Sequence, residues 1–125
     1  MDNKAVFNIL LVDDDELNNF LCSRQIKKYK DDVILIIFEN AKEALIYLKT
    51  TKILPDIILL DINMPKMDGW KFLDKLKKSD IVIPTVFVVT YSERISDKKK
   101  AASYKEIKSY ISKPLSEEKL EIIFG

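Results

Sequence analysis

The sequence predicts an α/β fold, a five-stranded parallel sheet covered by helices on both faces, in a single domain spanning residues 1–125. Three observations lead there. Short apolar runs alternate five times with longer segments of helical spacing, the pattern of parallel strands joined by right-handed crossovers. The central run, Ile57-Ile58-Leu59-Leu60, has no polar alternation, as a strand buried on both faces requires. A residue able to do chemistry then stands just past the end of four of the five runs, where open α/β sheets place their ligands. These are the acids Asp13 and Asp14, then Asp61, Thr90 and Lys113.

Taken in order, Val6 to Val12 is the first strand, and Asp13, Asp14 and Asp15 end it. Glu16 to Lys30 follows as a helix with Asp15 as its N-cap; Leu17 and Leu21, four apart with Phe20 and Ile26 beside them, make its apolar face. Val33 to Phe38 is the second strand. Asn40 with Glu43 three residues on forms a capping box for the next helix, which reaches Lys49 with Ala44, Leu45 and Leu48 as its stripe. Asp56 to Leu60 is the third strand, and the breaker-rich turn around Asn63, Pro65, Asp68 and Gly69 leads into a helix from Trp70 to Lys78. Pro84 lacks a backbone donor, so the fourth strand starts near Thr85 and delivers Thr90. Ser96 or Asp97 caps a fourth helix running to about Lys105, Ser109 to Ser112 is the fifth strand, and Ser116 caps a short last helix with Glu117 and Glu118 in its first turn.

Composition narrows the chemistry. A net charge of +1 gives no reason to expect direct contact with nucleic acid or a membrane. The chain has no histidine, so the commonest general base and metal ligand are gone; a metal here is held by oxygen, which points to magnesium. The lone Cys22 excludes an internal disulfide and fits a reducing, cytoplasmic setting. In a parallel sheet the carboxyl ends of the strands lie on one edge, so the acids, Thr90 and Lys113 converge there. Three carboxylates in one pocket repel unless a hard cation joins them. A cation, an ammonium and a hydroxyl together suit the three equatorial oxygens of a phosphoryl group in transfer. Asp61, on the central strand, is then the candidate nucleophile that forms an aspartyl phosphate.

With LVDDD, LLDINMPKMDG, Thr90, Tyr110 and the Lys113-Pro114 pair in this order, the chain resembles the receiver domain of two-component response regulators, of the chemotaxis-type single-domain kind. The resemblance covers essentially its whole length. It implies a flavodoxin-like sheet of order 2-1-3-4-5 and a phosphoryl group donated to Asp61 by a sensor histidine kinase or a histidine phosphotransfer protein. It further implies magnesium bound by Asp14 and Asp61, by Asp13 through water, and by the backbone carbonyl of Asn63. Lys113 and Thr90 would contact the phosphoryl group, and Tyr110 would couple to Thr90 as a rotamer switch whose output is read by another protein. The chain departs from the family at Tyr91, where a small residue is usual, at Glu106, where glycine often ends the fourth helix, and in its short C-terminal helix.

Two other functions compete. A haloacid-dehalogenase type of aspartyl phosphatase needs an acid two residues after its nucleophile, and Asn63 stands there. A receiver-like module that binds partners without phosphorylation is disfavoured by the complete set Asp13, Asp14, Asp61, Thr90 and Lys113.

Overall fold

The computed structural model describes residues 7–125. Its elements alternate as β1 (Phe7–Val12), α1 (Glu16–Tyr29), β2 (Val33–Phe38), α2 (Ala41–Thr50), β3 (Ile57–Leu60), α3 (Gly69–Lys77), β4 (Thr85–Thr90), α4 (Ile95–Ala102), β5 (Ile107–Ser112) and α5 (Glu117–Phe124). Val6, expected to open the first strand, lies outside the described residues. Every strand pair is parallel and the order is β2-β1-β3-β4-β5, the flavodoxin-like arrangement. The order reverses between β1 and β3, so these two strands end side by side: Val12 pairs with Leu60, and the Asp61 N–H donates to the Val12 carbonyl at 3.0 Å.

The two-residue period of the strands divides their side chains between two cores. Leu10, Val12, Ile58, Leu60, Val86 and Val88 pack toward α2 and α3. Ile9, Leu11, Ile57, Leu59, Phe87 and Val89 pack toward α1 and α5. Both faces of β3 are covered, which accounts for its unbroken apolar run. Asp15, Asn40, Asp68 and Ser116 cap their helices, each accepting from the backbone N–H three residues on, at 3.1, 2.8, 2.9 and 3.3 Å.

Three expectations are corrected. Of the four apolar residues expected on the inner face of α1 only Ile26 is buried: Leu17, Phe20 and Leu21 are 67%, 56% and 51% exposed, and the buried face is Asn18, Asn19, Cys22 and Ile26. Hydrogen bonds decide the rotation, because Asn18 Nδ2 donates to Asp13 Oδ2 (3.0 Å) and Asn19 Nδ2 to the Asp13 carbonyl (2.8 Å). Neither Ser96 nor Asp97 caps α4. Arg94 holds the N-cap position without a side-chain cap bond, while Asp97 is buried inside the first turn, accepting from Ser92 Oγ (2.6 Å) and Arg94 Nε (3.0 Å). The helix also ends at Ala102, before Lys105. Finally, β5 starts at Ile107 rather than Ser109. The pairing steps from Val86↔Ile107 to Phe87↔Ser109, leaving Lys108 as an extra residue, and the bulge breaks the alternation that marks a strand start. Glu106 sits in the preceding turn with ordinary negative φ, since Lys66 is the only non-glycine residue at positive φ among the described residues; the turn does not need a glycine.

Candidate functional site

The site forms at the carboxyl edge of β1, β3, β4 and β5. Asp13, 1% exposed, follows β1, and Asp61, 7% exposed, follows β3. Asp13, Asp14 and Asp61 each bring a carboxylate oxygen within 4.8 Å of the others. Asp14 is exposed, so the cluster opens to solvent on its side. From β5 comes Lys113, 7% exposed, whose Nζ donates to Asp13 Oδ2 at 2.5 Å and to Asp61 Oδ2 at 3.2 Å. The peptide between Lys113 and Pro114 is cis. Asp61 Oδ1 accepts the Asn63 N–H at 3.0 Å, so the β3–α3 loop turns directly over the acid.

The electrostatics follow from burial and pairing. Burial tends to lower the Lys113 pKa, but the hydrogen bond to Asp13 and the charge of Asp61 outweigh it, so the ammonium is held above its ordinary value. Burial pushes the Asp13 carboxyl up against the pull of Lys113 and the Asp15 N–H, and the charge of Asp61 adds to the rise. One ammonium facing three carboxylates leaves the pocket net negative. A hard divalent cation fits such a set, since magnesium takes one or two carboxylates and keeps water on its remaining positions.

Thr90, fully buried at the end of β4, joins the lysine through the backbone: the Lys113 N–H donates to the Thr90 carbonyl at 2.9 Å. Tyr110 does not touch Thr90 through a hydrogen bond. Its hydroxyl donates to the Ser92 carbonyl (2.9 Å), and the Ser92 N–H donates to Thr90 Oγ1 (3.2 Å). Ser92 is therefore the joint between the two, and the sequence reading missed it. The reading also missed Asn18 and Asn19, which orient Asp13. The spacing of Asn18, Cys22 and Ile26 by four marks one helix face, but it carries no sign of a bond to Asp13. Tyr91, 60% exposed, lays its ring 5.2 Å from the Lys113 ammonium and so forms one wall of the pocket.

Comparison with known proteins agrees with this geometry. The chain matches the family described as response regulator receiver domain over residues 9–124. A probable methanogenesis regulatory protein of Methanothrix harundinacea is 35% identical over 121 residues, covering 92% of this chain and 77% of that protein. A two-component response regulator of Arabidopsis thaliana is 30% identical over 117 residues, covering 94% and 80%. A protein-glutamate methylesterase/protein-glutamine glutaminase of Dechloromonas aromatica is 35% identical over 89 residues, but the match spans only 25% of that protein. Among solved structures, a two-component response regulator from Cytophaga hutchinsonii superposes with a TM-score of 0.85 at 29% identity, covering 98% of this chain and 96% of that one. Sequence and fold agree over nearly all of the described residues, and the chain belongs to the response regulator receiver domain family.

Proposed function

We propose that this receiver accepts a phosphoryl group on Asp61 from a phosphohistidine, carried by a sensor histidine kinase or a histidine phosphotransfer protein, and signals through a change in protein contacts. The observation that carries the reading is the meeting of Asp61 with Lys113, Asp13 and Asp14 at one sheet edge. A carboxylate oxygen of Asp61 attacks phosphorus, the phosphorus–nitrogen bond breaks, and the electron pair stays with the departing imidazole. Lys113, already held in its charged form, offsets the charge on the transferred group.

Asp13, Asp14, Asp61 and the backbone carbonyl of Asn63 would hold magnesium, which when bound supplies a charge that neutralises the phosphoryl oxygens. Thr90 turns its hydroxyl to the acyl phosphate. Ser92 and Tyr110 then lose their present arrangement, because the Thr90 hydroxyl now accepts the Ser92 N–H. The result is a shift between two surface states, read by an output protein. Leu21 and Tyr91 line one groove beside Pro114, and Leu17 is exposed one turn earlier on the same helix; together they give the donor protein an apolar surface to dock on. The buried free thiol of Cys22 suits a reducing compartment, the cytoplasm.

The test is intact-protein mass after incubation with magnesium and a small acyl-phosphate donor. One added phosphoryl group is expected, dependent on magnesium and absent in Asp61→Asn. A mass gain that survives in Asp61→Asn would place the chemistry elsewhere. No gain, together with no binding of the acyl-phosphate mimic beryllofluoride, would leave only a partner-binding module.

A further inference from the structure

Lys113 is only as well placed as the backbone that carries it. A lysine stem is flexible, and this ammonium stands between Asp13 Oδ2 and Asp61 Oδ2. Among the described residues, the stretch Lys113, Pro114 and Leu115 makes one backbone–backbone hydrogen bond, from the Lys113 N–H to the Thr90 carbonyl. Leu115 is buried in the core, which anchors the end of the turn but not the peptide groups beside the lysine. A single side chain holds those. Lys119 Nζ, from the first turn of α5, donates to the Ser112 carbonyl at 2.8 Å and to the Pro114 carbonyl at 3.1 Å, one residue on either side of Lys113. It also donates to Ser112 Oγ at 3.2 Å. This placement runs against local preference. A cation in the first turn of a helix faces the positive end of the helix dipole, and Glu117 and Glu118 fill the two positions before it as the dipole favours. Lys71 has the same place in α3; it is exposed, and its side chain makes no hydrogen bond or ion pair among the described residues. Lys119 instead is half-buried, turns back onto the loop, and is matched there by three neutral oxygens rather than by an acid. A residue set against the local rule is held for what its contacts do elsewhere, and these contacts bracket Lys113.

We propose that Lys119 is a positioning residue for phosphoryl transfer: by clamping the Ser112 and Pro114 carbonyls it aims the Lys113 ammonium at the group that Asp61 accepts. The proposal rests on the reading of Asp61 as phosphoacceptor. Lys119 bonds to none of the three carboxylates, and its whole effect passes through the backbone of Lys113. Asp13, Asp14 and Asp61 stand on the loops after β1 and β3, so they keep their places when the clamp is removed. Loss of Lys119 therefore lowers the rate of transfer and leaves magnesium binding as it was.

The test measures the rate at which the full chain is labelled at saturating acetyl phosphate and magnesium, with the magnesium dissociation constant taken separately by calorimetry. Lys119→Met keeps the stem and removes the donors; it should slow labelling by about tenfold, the kind of loss that a small misplacement brings, with magnesium affinity changed by less than about twofold. Lys119→Arg restores donors and should label within about threefold of the wild type. Lys49→Met, which removes an exposed charge from α2, should label within about twofold. Labelling of Lys119→Met at the wild-type rate overturns the proposal. So does equal slowing in Lys119→Met and Lys119→Arg, or a loss of magnesium affinity that matches the loss of rate, since either marks a general loosening of the edge. A wild type that takes no label overturns the phosphorylation of Asp61 instead, and the hold on Lys113 is then judged by amide hydrogen exchange. The Lys113 amide should exchange about tenfold faster in Lys119→Met while the Leu59 amide of β3 changes by less than about twofold; unchanged exchange at Lys113 overturns the clamp.

Discussion

At the scale of single residues, Gly69 shows how tightly the site is built. A Cβ placed there would lie 2.8 Å from the Ile62 Cα and 2.9 Å from the Asp61 carbonyl oxygen, both backbone atoms that cannot move aside alone. The start of α3 is therefore pressed against Asp61, the proposed phosphoacceptor, and Ile62. Gly69→Ala should cost about 2 kcal/mol in chemical denaturation, the scale of overpacking, and should slow labelling of Asp61 by a small acyl-phosphate donor. Unchanged values in both measurements would mean the loop yields freely. Tyr91 acts on the other side of the pocket. Its ring stands by the Lys113 ammonium and shields that flank from water. Tyr91→Ala should speed acyl-phosphate hydrolysis by about threefold, on the scale of an exposed cation–π contact, with stability changed by less than about 0.5 kcal/mol. The residues with charge were legible in the sequence because an acid or lysine at a strand end has few structural reasons to be there. Ser92, Asn18 and Asn19 were not, because a serine or asparagine is ordinary in loops and at helix starts; only the fold shows that each bonds to the site.

At the scale of elements, α1 and α4 explain what periodicity reads and what it misses. The first four strands, α2 and α3 were legible because apolar burial alone sets their orientation, as with Leu73 and Leu76 of α3, fully buried at a spacing of three. On α1 two asparagines bonded to Asp13 compete with three large apolar side chains and win, so Leu17, Phe20 and Leu21 face outward. Exposed leucines add little to folding, and Leu17→Glu combined with Leu21→Glu should leave stability within about 1 kcal/mol. The same pair should cut phosphoryl transfer from a phosphohistidine protein by about tenfold or more, while labelling by a small donor stays unchanged. Loss of both would show instead that the helix face supports the pocket. On α4 the acid expected at the cap is drawn inside. Burial alone would raise the Asp97 pKa, but the Ser92 hydroxyl, Arg94 and Trp70 hold it below the ordinary 3.8. A carboxyl depressed in the folded state stabilises it at pH above 3.8, and that contribution is lost as pH falls through the lower, folded value. Trp70 emission, followed down through that acid range, should report the loosening of α4, and Asp97→Asn should remove the transition. A transition that persists in Asp97→Asn would assign it to other carboxylates.

At the scale of the whole molecule, the fold brings residues far apart in sequence to one edge and leaves them in electrostatic conflict. Lys113 reaches Asp13 across 100 positions and Asp61 across 52, so the pocket exists only while the sheet is intact. Three acids and one ammonium there oppose folding, and the two apolar cores on either side of the sheet must offset that cost. A ligand that binds the folded edge and not the open chain must then stabilise the protein by mass action. Magnesium at a hundredfold excess over its dissociation constant would add about 2.7 kcal/mol, which for a chain of this length raises Tm by roughly 10 °C. The sign reverses for the variant. Asp14→Asn removes one repelling charge, so without metal its Tm should equal or exceed that of the wild type, and with metal it should gain much less. Thermal unfolding of both proteins, with magnesium and with a chelator, separates the two effects. If the wild-type Tm stays fixed as magnesium is added, the carboxylate cluster does not bind the ion at these concentrations, and Lys113, bonded to both Asp13 and Asp61, is what offsets the repulsion among the three acids.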